Sequence, residues 1–109
     1  MASKGYNYVL TRSAESDIDE AFSYISNILA NSDAASDLAD ELEVQLAKIC
    51  KRPKTGKTVE NEFLRRNDVR RFLVKNYIAY YLIDEDNETI IILRFVYGKR
   101  NQDAIVKDF

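Results

Sequence analysis

The pattern of apolar and polar residues predicts a strand followed by a helix at the start of the chain. The segment YNYVLT at 6–11 alternates aromatic and smaller residues, which is typical of a strand. Over residues 14–30 the apolar positions recur at helical spacing, which predicts an amphipathic helix. Ser13 is the expected N-cap, and acidic residues follow it where the helix dipole favours negative charge.

A second helix is predicted over about 34–51. The polar residues NSD at 31–33 offer its cap, and it should end before Pro53 because proline disfavours helical geometry in the residue that precedes it. Its apolar stripe consists of Leu38, Leu42, Leu46 and Ile49. We expect an antiparallel helix hairpin in which this stripe is core rather than a dimer seam.

Three strand-like runs fill most of the second half of the chain. They lie at 69–74, 77–83 and 89–97, and the short polar connections between them favour a consecutive antiparallel meander. Residues 52–63 show only weak periodicity and are expected to form a loop. The tail that begins at Asn101 can form one or two helical turns, which this residue would cap.

These elements predict an α+β fold with the order β-α-α-β-β-β. The helix hairpin should pack on one face of a small twisted sheet, within a single domain over 1–109. The other face of the sheet is then open to solvent or to a partner.

Two arginines interrupt the apolar strands. Alternation places Arg71 on the same face as Val69 and Leu73. It places Arg94 on one face with three aliphatic residues, Ile90, Ile92 and Val96. An arginine among aliphatic residues reaches the sheet edge, pairs with a carboxylate or belongs to a binding surface, and the sequence leaves these alternatives open.

Charge is distributed unevenly along the chain. The 109 residues carry a formal net charge of −2, which by itself argues against a nucleic-acid partner. Residues 1–47 contain two cations and nine acids, whereas residues 48–109 contain fourteen cations and nine acids. Ten of those cations and only three acids fall within 48–75. One face of the molecule is therefore expected to prefer an anionic partner.

The chain contains no histidine and a single cysteine, Cys50, which is expected to be an ordinary thiol. These absences exclude Ser-His-Asp and Cys-His catalysis and zinc sites built from thiolates and imidazoles. A magnesium site made of carboxylates would need acids that converge from separate elements, but the acids fall mostly on helix surfaces and in the turn DEDNE. We expect neither a metal nor a cofactor.

No segment resembles a signal peptide, and no run approaches the roughly 20 apolar residues of a membrane span. We therefore expect a cytoplasmic protein that does not contact a membrane.

Three segments carry a resemblance to a known family. They are YVLTRSAESDIDEAFSYI, KICKRPKTGK and VRRFLVKNYIAYYLIDEDNETIIILRFVYGKRN. In length and order they are similar to toxins of the RelE/ParE superfamily from bacterial type II toxin–antitoxin systems. The resemblance covers nearly the whole chain and implies the β-α-α-β-β-β order and a cognate antitoxin as partner.

The resemblance implies two alternative activities. One branch of the family comprises ribosome-dependent endonucleases that hold mRNA with Arg and Lys and cut it, and mRNA cleavage is the first hypothesis. The ParE-like branch inhibits DNA gyrase without being a catalyst, and this is the alternative. A third hypothesis is an inactive binding module on the same scaffold.

The resemblance also assigns residues. Arg100 matches the arginine at the C-terminal end of the family's sheet, and Arg71 is the second candidate catalytic residue. The nucleases place an arginine and a tyrosine where this chain has Ile78 and Val106. The candidate substitutes for these two positions are Lys54, Lys57, Arg65, Arg71 and Tyr97. The candidates for binding RNA or another target are Lys54, Lys57, Arg65, Arg70 and Lys99.

Overall fold

Two helices pack against a five-stranded mixed sheet in the computed structural model, which describes residues 5–109. The elements are β1 (Asn7–Leu10), α1 (Arg12–Ser23), a π-helical turn (Tyr24–Ile28), α2 (Ser32–Lys51), a 3-10 turn (Pro53–Thr55), β2 (Lys57–Thr58), β3 (Arg70–Val74), β4 (Tyr77–Asp84), β5 (Thr89–Tyr97) and α3 (Gln102–Val106). The predicted α+β class is confirmed. The first four residues of the domain predicted over 1–109 lie outside the described residues.

The strand order in the sheet is β1-β5-β4-β3-β2. Strands β3, β4 and β5 form the predicted antiparallel meander, and β1 pairs with β5 in parallel. β5 is therefore flanked by a strand on each side. Its apolar sequence follows from this interior position, since both of its faces carry buried residues.

The first helix begins two residues earlier than predicted. Its N-cap is Thr11 rather than Ser13, because the Thr11 hydroxyl accepts a hydrogen bond from Ala14 N at 3.1 Å. The same hydroxyl donates to the carbonyl of Leu93 at 2.8 Å. The contact of Thr11 with β5 at the end of β1 therefore determines which residue caps the helix. The sequence did not indicate this contact.

The stripe on α2 is core, as predicted. Leu38, Leu42, Leu46 and Ile49 are all buried against the sheet, and Asn31 caps the helix by accepting from Ala34 N at 3.0 Å. Within residues 5–109, no helix combines the length and apolarity that crossing a membrane requires.

The face of the sheet away from the helices is not open, and that expectation was wrong. A second buried cluster covers it, formed by Val69, Ile78, Tyr80, Val96, Ile105 and Val106. The cover comes from α3 and from the segment between β2 and β3, whose Val59 and Leu64 pack against the cluster. Tail and loop thus give this small sheet a core on each side.

The expectation that Ile90, Ile92 and Val96 share one face with Arg94 was also wrong, because these three aliphatic residues do not lie on the same face. Arg94 is opposite Tyr80, whereas Ile92 is opposite Tyr81, so the pairing shifts by one residue at a β-bulge. Ile90 and Ile92 consequently face the helices, and Val96 faces the other side. A further strand, β2, lies within the segment predicted to be a loop.

Candidate functional site

The chain turns sharply where β5 ends. Gly98 N donates to the carbonyl of Asn76 at 2.8 Å, and a Cβ at Gly98 would lie 3.1 Å from that oxygen, so the close approach favours glycine. Arg100 N then donates to Tyr97 O at 3.0 Å. The Gln102 amide donates to the carbonyls of Tyr97, Gly98 and Arg100. This network holds the backbone that carries the Arg100 side chain.

Arg100 lines an aromatic cleft, which we call the sheet-end cleft and define by Glu20, Tyr24, Tyr77, Tyr97 and Arg100. Tyr77 stacks on Phe95 with ring centroids 4.9 Å apart, and Tyr97 meets Tyr77 edge-on at 5.7 Å. Tyr24 and Tyr97 expose 52% and 38% of their surface. The cleft thus combines aromatic walls with a carboxylate and a guanidinium.

Tyr24 comes from the π-helical turn that follows α1. Single π-helical turns within α-helices are frequent at functional sites, because they displace side chains from the regular helical positions. Burial raises the pKa of Tyr77, and the neighbouring Tyr97 and Tyr24 raise it further. The Tyr77 hydroxyl therefore stays protonated at neutral pH and can donate a hydrogen bond.

Of the alternatives for Arg94, the structure selects pairing with a carboxylate. Its guanidinium donates to Asp17 at 2.6 and 3.0 Å, and Phe95 N donates to the same carboxylate at 3.0 Å. Arg94 is therefore engaged by α1 and is not part of an exposed binding surface.

Several basic candidates surround the turn formed by residues 52–57, which we call the cationic turn. Lys54 lies in it and Lys57 ends it at β2, directly opposite Arg71 on β3. Arg70 also reaches the cationic turn, but its guanidinium donates to the carbonyls of Gly56 at 2.6 Å and Lys54 at 3.2 Å. Arg70 therefore holds the backbone of the turn.

A buried tyrosine anchors the same turn. The Tyr81 hydroxyl donates to Pro53 O at 2.6 Å and accepts from Gly56 N at 3.1 Å. Burial raises the pKa of Tyr81, which is fully enclosed between helices and sheet. Sequence reasoning did not single out Tyr81, since its partners are 25 and 28 residues away.

The structure does not bring the two candidate catalytic arginines together. Arg71 lies beside Lys57 in a cleft between β3 and α2, whereas Arg100 lies in the sheet-end cleft. The end of β5 is two strands from Arg71 and roughly 10 Å further along the strand direction, since Val74 is three residues beyond Arg71. Lys99 is exposed beside Arg100, and Arg65 is exposed between β2 and β3.

Ile78 and Val106 are buried in the second cluster, with 6% and 1% of their surface exposed. Tyr80 lies beside them, and its hydroxyl donates to the Gln102 side-chain oxygen at 2.6 Å. Phe109 packs edge-on against the Tyr80 ring at 5.3 Å. The region between the sheet and α3 is therefore an apolar core with one satisfied hydroxyl.

The described part of the chain contains no cluster of side chains that could bind a metal ion. Among residues 5–109 no group of three or more Asp, Glu, Cys or His side chains converges on one point. Cys50 is half-buried, and burial raises the pKa of its thiol. The thiol is correspondingly protonated at neutral pH.

Comparison with known proteins gives a consistent result. The family described as ParE toxin of type II toxin-antitoxin system, parDE, matches residues 8–102. None of the curated proteins matches the chain. Among solved structures, the chain is similar to one from the chromosomal ParDE toxin–antitoxin system of P. aeruginosa, with a TM-score of 0.67 and 18% identity over 89% of this chain and 100% of that one.

Two further structures share the fold. One is from the RelBE2 toxin–antitoxin complex of Mycobacterium tuberculosis, with a TM-score of 0.61 and 19% identity over 85% of this chain and 98% of that one. The other is the isolated E. coli RelE toxin, with a TM-score of 0.55 and 10% identity over 95% of this chain and 99% of that one.

Proposed function

This chain belongs to the ParE toxin family of type II toxin–antitoxin systems, and from this premise we propose that it inhibits DNA gyrase by binding, without catalysing a reaction. We also infer that a cognate antitoxin neutralises it. The P. aeruginosa and M. tuberculosis structures come from a toxin–antitoxin system and a toxin–antitoxin complex, which supports that partner.

The burial of Ile78 and Val106 carries the proposal. These are the positions at which the nuclease branch is expected to have an arginine and a tyrosine. Here both positions carry aliphatic side chains that are buried in the second cluster, so neither presents a charged or hydroxyl group to RNA. The separation of Arg71 from Arg100 supports the same conclusion, because phosphoryl chemistry needs its cations around one phosphate.

The sheet-end cleft supports a protein target. Tyr and Arg dominate the residues that contribute most to protein–protein binding, since they combine apolar area with hydrogen-bond donors. Tyr24, Tyr97 and Arg100 provide both on one exposed surface. We therefore expect gyrase to contact this cleft.

One observation favours the rival hypothesis of ribosome-dependent mRNA cleavage. Lys57 and Arg71 are paired across β2 and β3, so two cations lie side by side where they could stabilise a developing phosphorane charge. The two hypotheses differ in target and are separable with purified components.

The experiment compares gyrase and translation as targets of the purified full chain. We expect inhibition of plasmid supercoiling and accumulation of cleaved plasmid with gyrase, and no discrete mRNA cuts in cell-free translation. The Arg100→Ala and Tyr24→Ala variants should weaken gyrase inhibition at least 10-fold, whereas Arg12→Ala, an exposed arginine at the other end of α1, should not.

Other outcomes overturn the proposal. Discrete mRNA cuts without an effect on gyrase would establish the nuclease hypothesis. A folded chain that affects neither system and does not slow bacterial growth would establish the inactive binding module.

A further inference from the structure

Six basic residues lie in or beside the cationic turn, and three of them were not among the candidates from sequence. They are Lys48, Lys51 and Arg52 at the end of α2, Lys54 in the turn, Lys57 on β2 and Arg71 on β3. Thr55 lies at their centre. It lines one cleft with Lys48, Lys51 and Arg52, a second with Lys54 and a third with Lys57 and Arg71.

These charges are not neutralised within the described chain. The side-chain ion pairs in residues 5–109 are Arg66–Asp68 and Arg94–Asp17, and neither involves the six. Glu85 is the one carboxylate that lines these clefts. The cationic turn therefore carries a large local excess of positive charge in a chain whose net charge is −2.

The cationic turn is also held in place by hydrogen bonds. Tyr81 bonds to Pro53 and Gly56, and Arg70 bonds to Lys54 and Gly56, all through backbone groups of the turn. These bonds fix a backbone that brings like charges together. Because this backbone is already ordered, it loses little conformational freedom when the turn meets an anionic surface, which favours binding.

We propose that the cationic turn docks on the phosphate backbone of duplex DNA. Clustered Lys and Arg side chains bind nucleic acid mainly by neutralising phosphates and releasing counterions. Single-stranded RNA or DNA is instead gripped by exposed aromatic rings on which bases stack. The aromatic residues that line these clefts are Tyr6, which is half-buried, and Phe72, which is buried, and both pack in the core beneath the helices. The surface is therefore suited to a duplex backbone.

The charge along α2 orients the chain on DNA. The first half of this helix carries acids, including Asp33, Asp37 and Asp40, and its last turn carries Lys48 and Lys51. At 1.5 Å per residue, Asp33 lies about 22 Å and Asp40 about 12 Å from Lys48 along the helix, so the acids of the first half lie away from the phosphates. DNA should therefore contact one end of the molecule, without preference for sequence.

This inference goes beyond the proposed function, because binding to free DNA requires no gyrase. If the proposed function holds as well, the cationic turn would rest on the DNA that gyrase holds while the sheet-end cleft contacts the enzyme. Each of the two surfaces can then be altered separately.

The test is the binding of the purified full chain to a fluorescently labelled 20-bp duplex, measured by anisotropy. With four or five phosphates neutralised, log K should fall with log salt concentration at a slope of about −4. Arg52→Glu and Lys51→Glu should each weaken binding at least 10-fold at 50 mM salt, while the matched exposed substitution Arg12→Glu should change it less than 3-fold. Circular dichroism melting of each variant establishes that it is folded. Lys48→Gln, which removes a positive charge without introducing a negative one, is a milder second test of the same surface.

Three outcomes would overturn the inference. They are the absence of duplex binding at 50 mM salt, equal weakening by Arg12→Glu and Arg52→Glu, and tighter binding of single-stranded RNA of the same length. Because gyrase is not present, failure of the proposed function leaves these isotherms unchanged. A chain that inhibits gyrase without binding free duplex would overturn only this inference.

Discussion

Asp17 and Arg94 form a bidentate ion pair beside β5, just beyond the point at which β1 ends. Arg94 Nε and Nη2 donate to the two carboxylate oxygens at 2.6 and 3.0 Å. The oxygen Oδ2 also accepts from Phe95 N, a backbone donor of β5 that β1 is too short to reach. The Asp17 carboxylate thus accepts a hydrogen bond from the backbone of β5 and also neutralises the half-buried Arg94. Both interactions hold α1 on the sheet.

The first prediction concerns this pair. Asp17→Asn should lower the free energy of unfolding by about 2–3 kcal/mol, since it leaves a half-buried guanidinium without its counter-charge. The value is below that of a fully buried pair because 21% of the Arg94 side chain is exposed. Asp19→Asn, an exposed substitution on the same helix, should change stability by less than about 0.5 kcal/mol. Urea unfolding followed by circular dichroism gives both values, and equal effects of the two variants would contradict the role given to Asp17.

The sequence could not distinguish Asp17 from the other acids of α1. Its partner is 77 residues away, and nothing in the local spacing marks one carboxylate as buried. The helices and the meander could be predicted because their periodicities are local. The bulge near Arg94 could not, since one extra residue in a strand leaves no mark in the alternation until the pairing is known.

In the candidate site, too, local features could be predicted from the sequence and contacts between distant segments could not. The basic character of residues 48–75 was visible as composition, and the structure gathers six basic residues around Thr55. The sheet-end cleft was visible only through Arg100 and Tyr97. Tyr24 and Tyr77 join them from separate elements, and only the packing of α1 against β5 brings the four side chains together.

The second prediction concerns Gly56. A Cβ at this position would overlap the Tyr81 hydroxyl and lie 2.6 Å from the carbonyl of Arg71. Gly56→Ala should therefore destabilise the chain by about 2–3 kcal/mol, as overpacking against backbone does. At Gly5 the nearest atom to a Cβ would be 3.3 Å away, so Gly5→Ala should cost clearly less.

Unfolding by urea measures both glycine variants. Adding Tyr81→Phe to Gly56→Ala should not restore stability, because the Arg71 carbonyl still blocks the methyl group. Restoration by that second substitution would show that the hydroxyl alone requires glycine at this position.

The third prediction concerns alkaline pH. Burial raises the pKa of Tyr81, so the folded state favours the neutral phenol more than the unfolded state does. The resulting stability is complete below the unfolded pKa of about 10 and is lost as the pH rises through the folded pKa. Tyr81→Phe should cost about 1–3 kcal/mol at pH 7, since Pro53 O and Gly56 N lose their partner.

The urea midpoints of both proteins at pH 8 and pH 11 test this behaviour. The midpoint of Tyr81→Phe should fall less over this interval than that of the unsubstituted chain. Tyr77 and Tyr80, whose pKa values burial also raises, are present in both proteins and contribute equally. Parallel decreases in the two midpoints would show that Tyr81 ionises without affecting stability.

The last prediction concerns Ile78 and tests whether this position is a catalytic position that has lost its arginine or an ordinary core position. If the scaffold were a nuclease that lacks one arginine, Ile78→Arg would restore part of the activity. Ile78 is 6% exposed in the second cluster, where an arginine would be buried among apolar side chains, so this substitution should instead lower the free energy of unfolding by more than about 3 kcal/mol. Leu73→Arg, at a position on β3 that is 60% exposed, is the control and should be tolerated within about 0.5 kcal/mol.

Thermal denaturation measures the stability of the Ile78→Arg and Leu73→Arg variants, and mapping of mRNA ends in cell-free translation measures their nuclease activity. A stable Ile78→Arg protein that cuts mRNA would show that position 78 is a vacant catalytic position, and gyrase inhibition would then have to be abandoned as the proposed function.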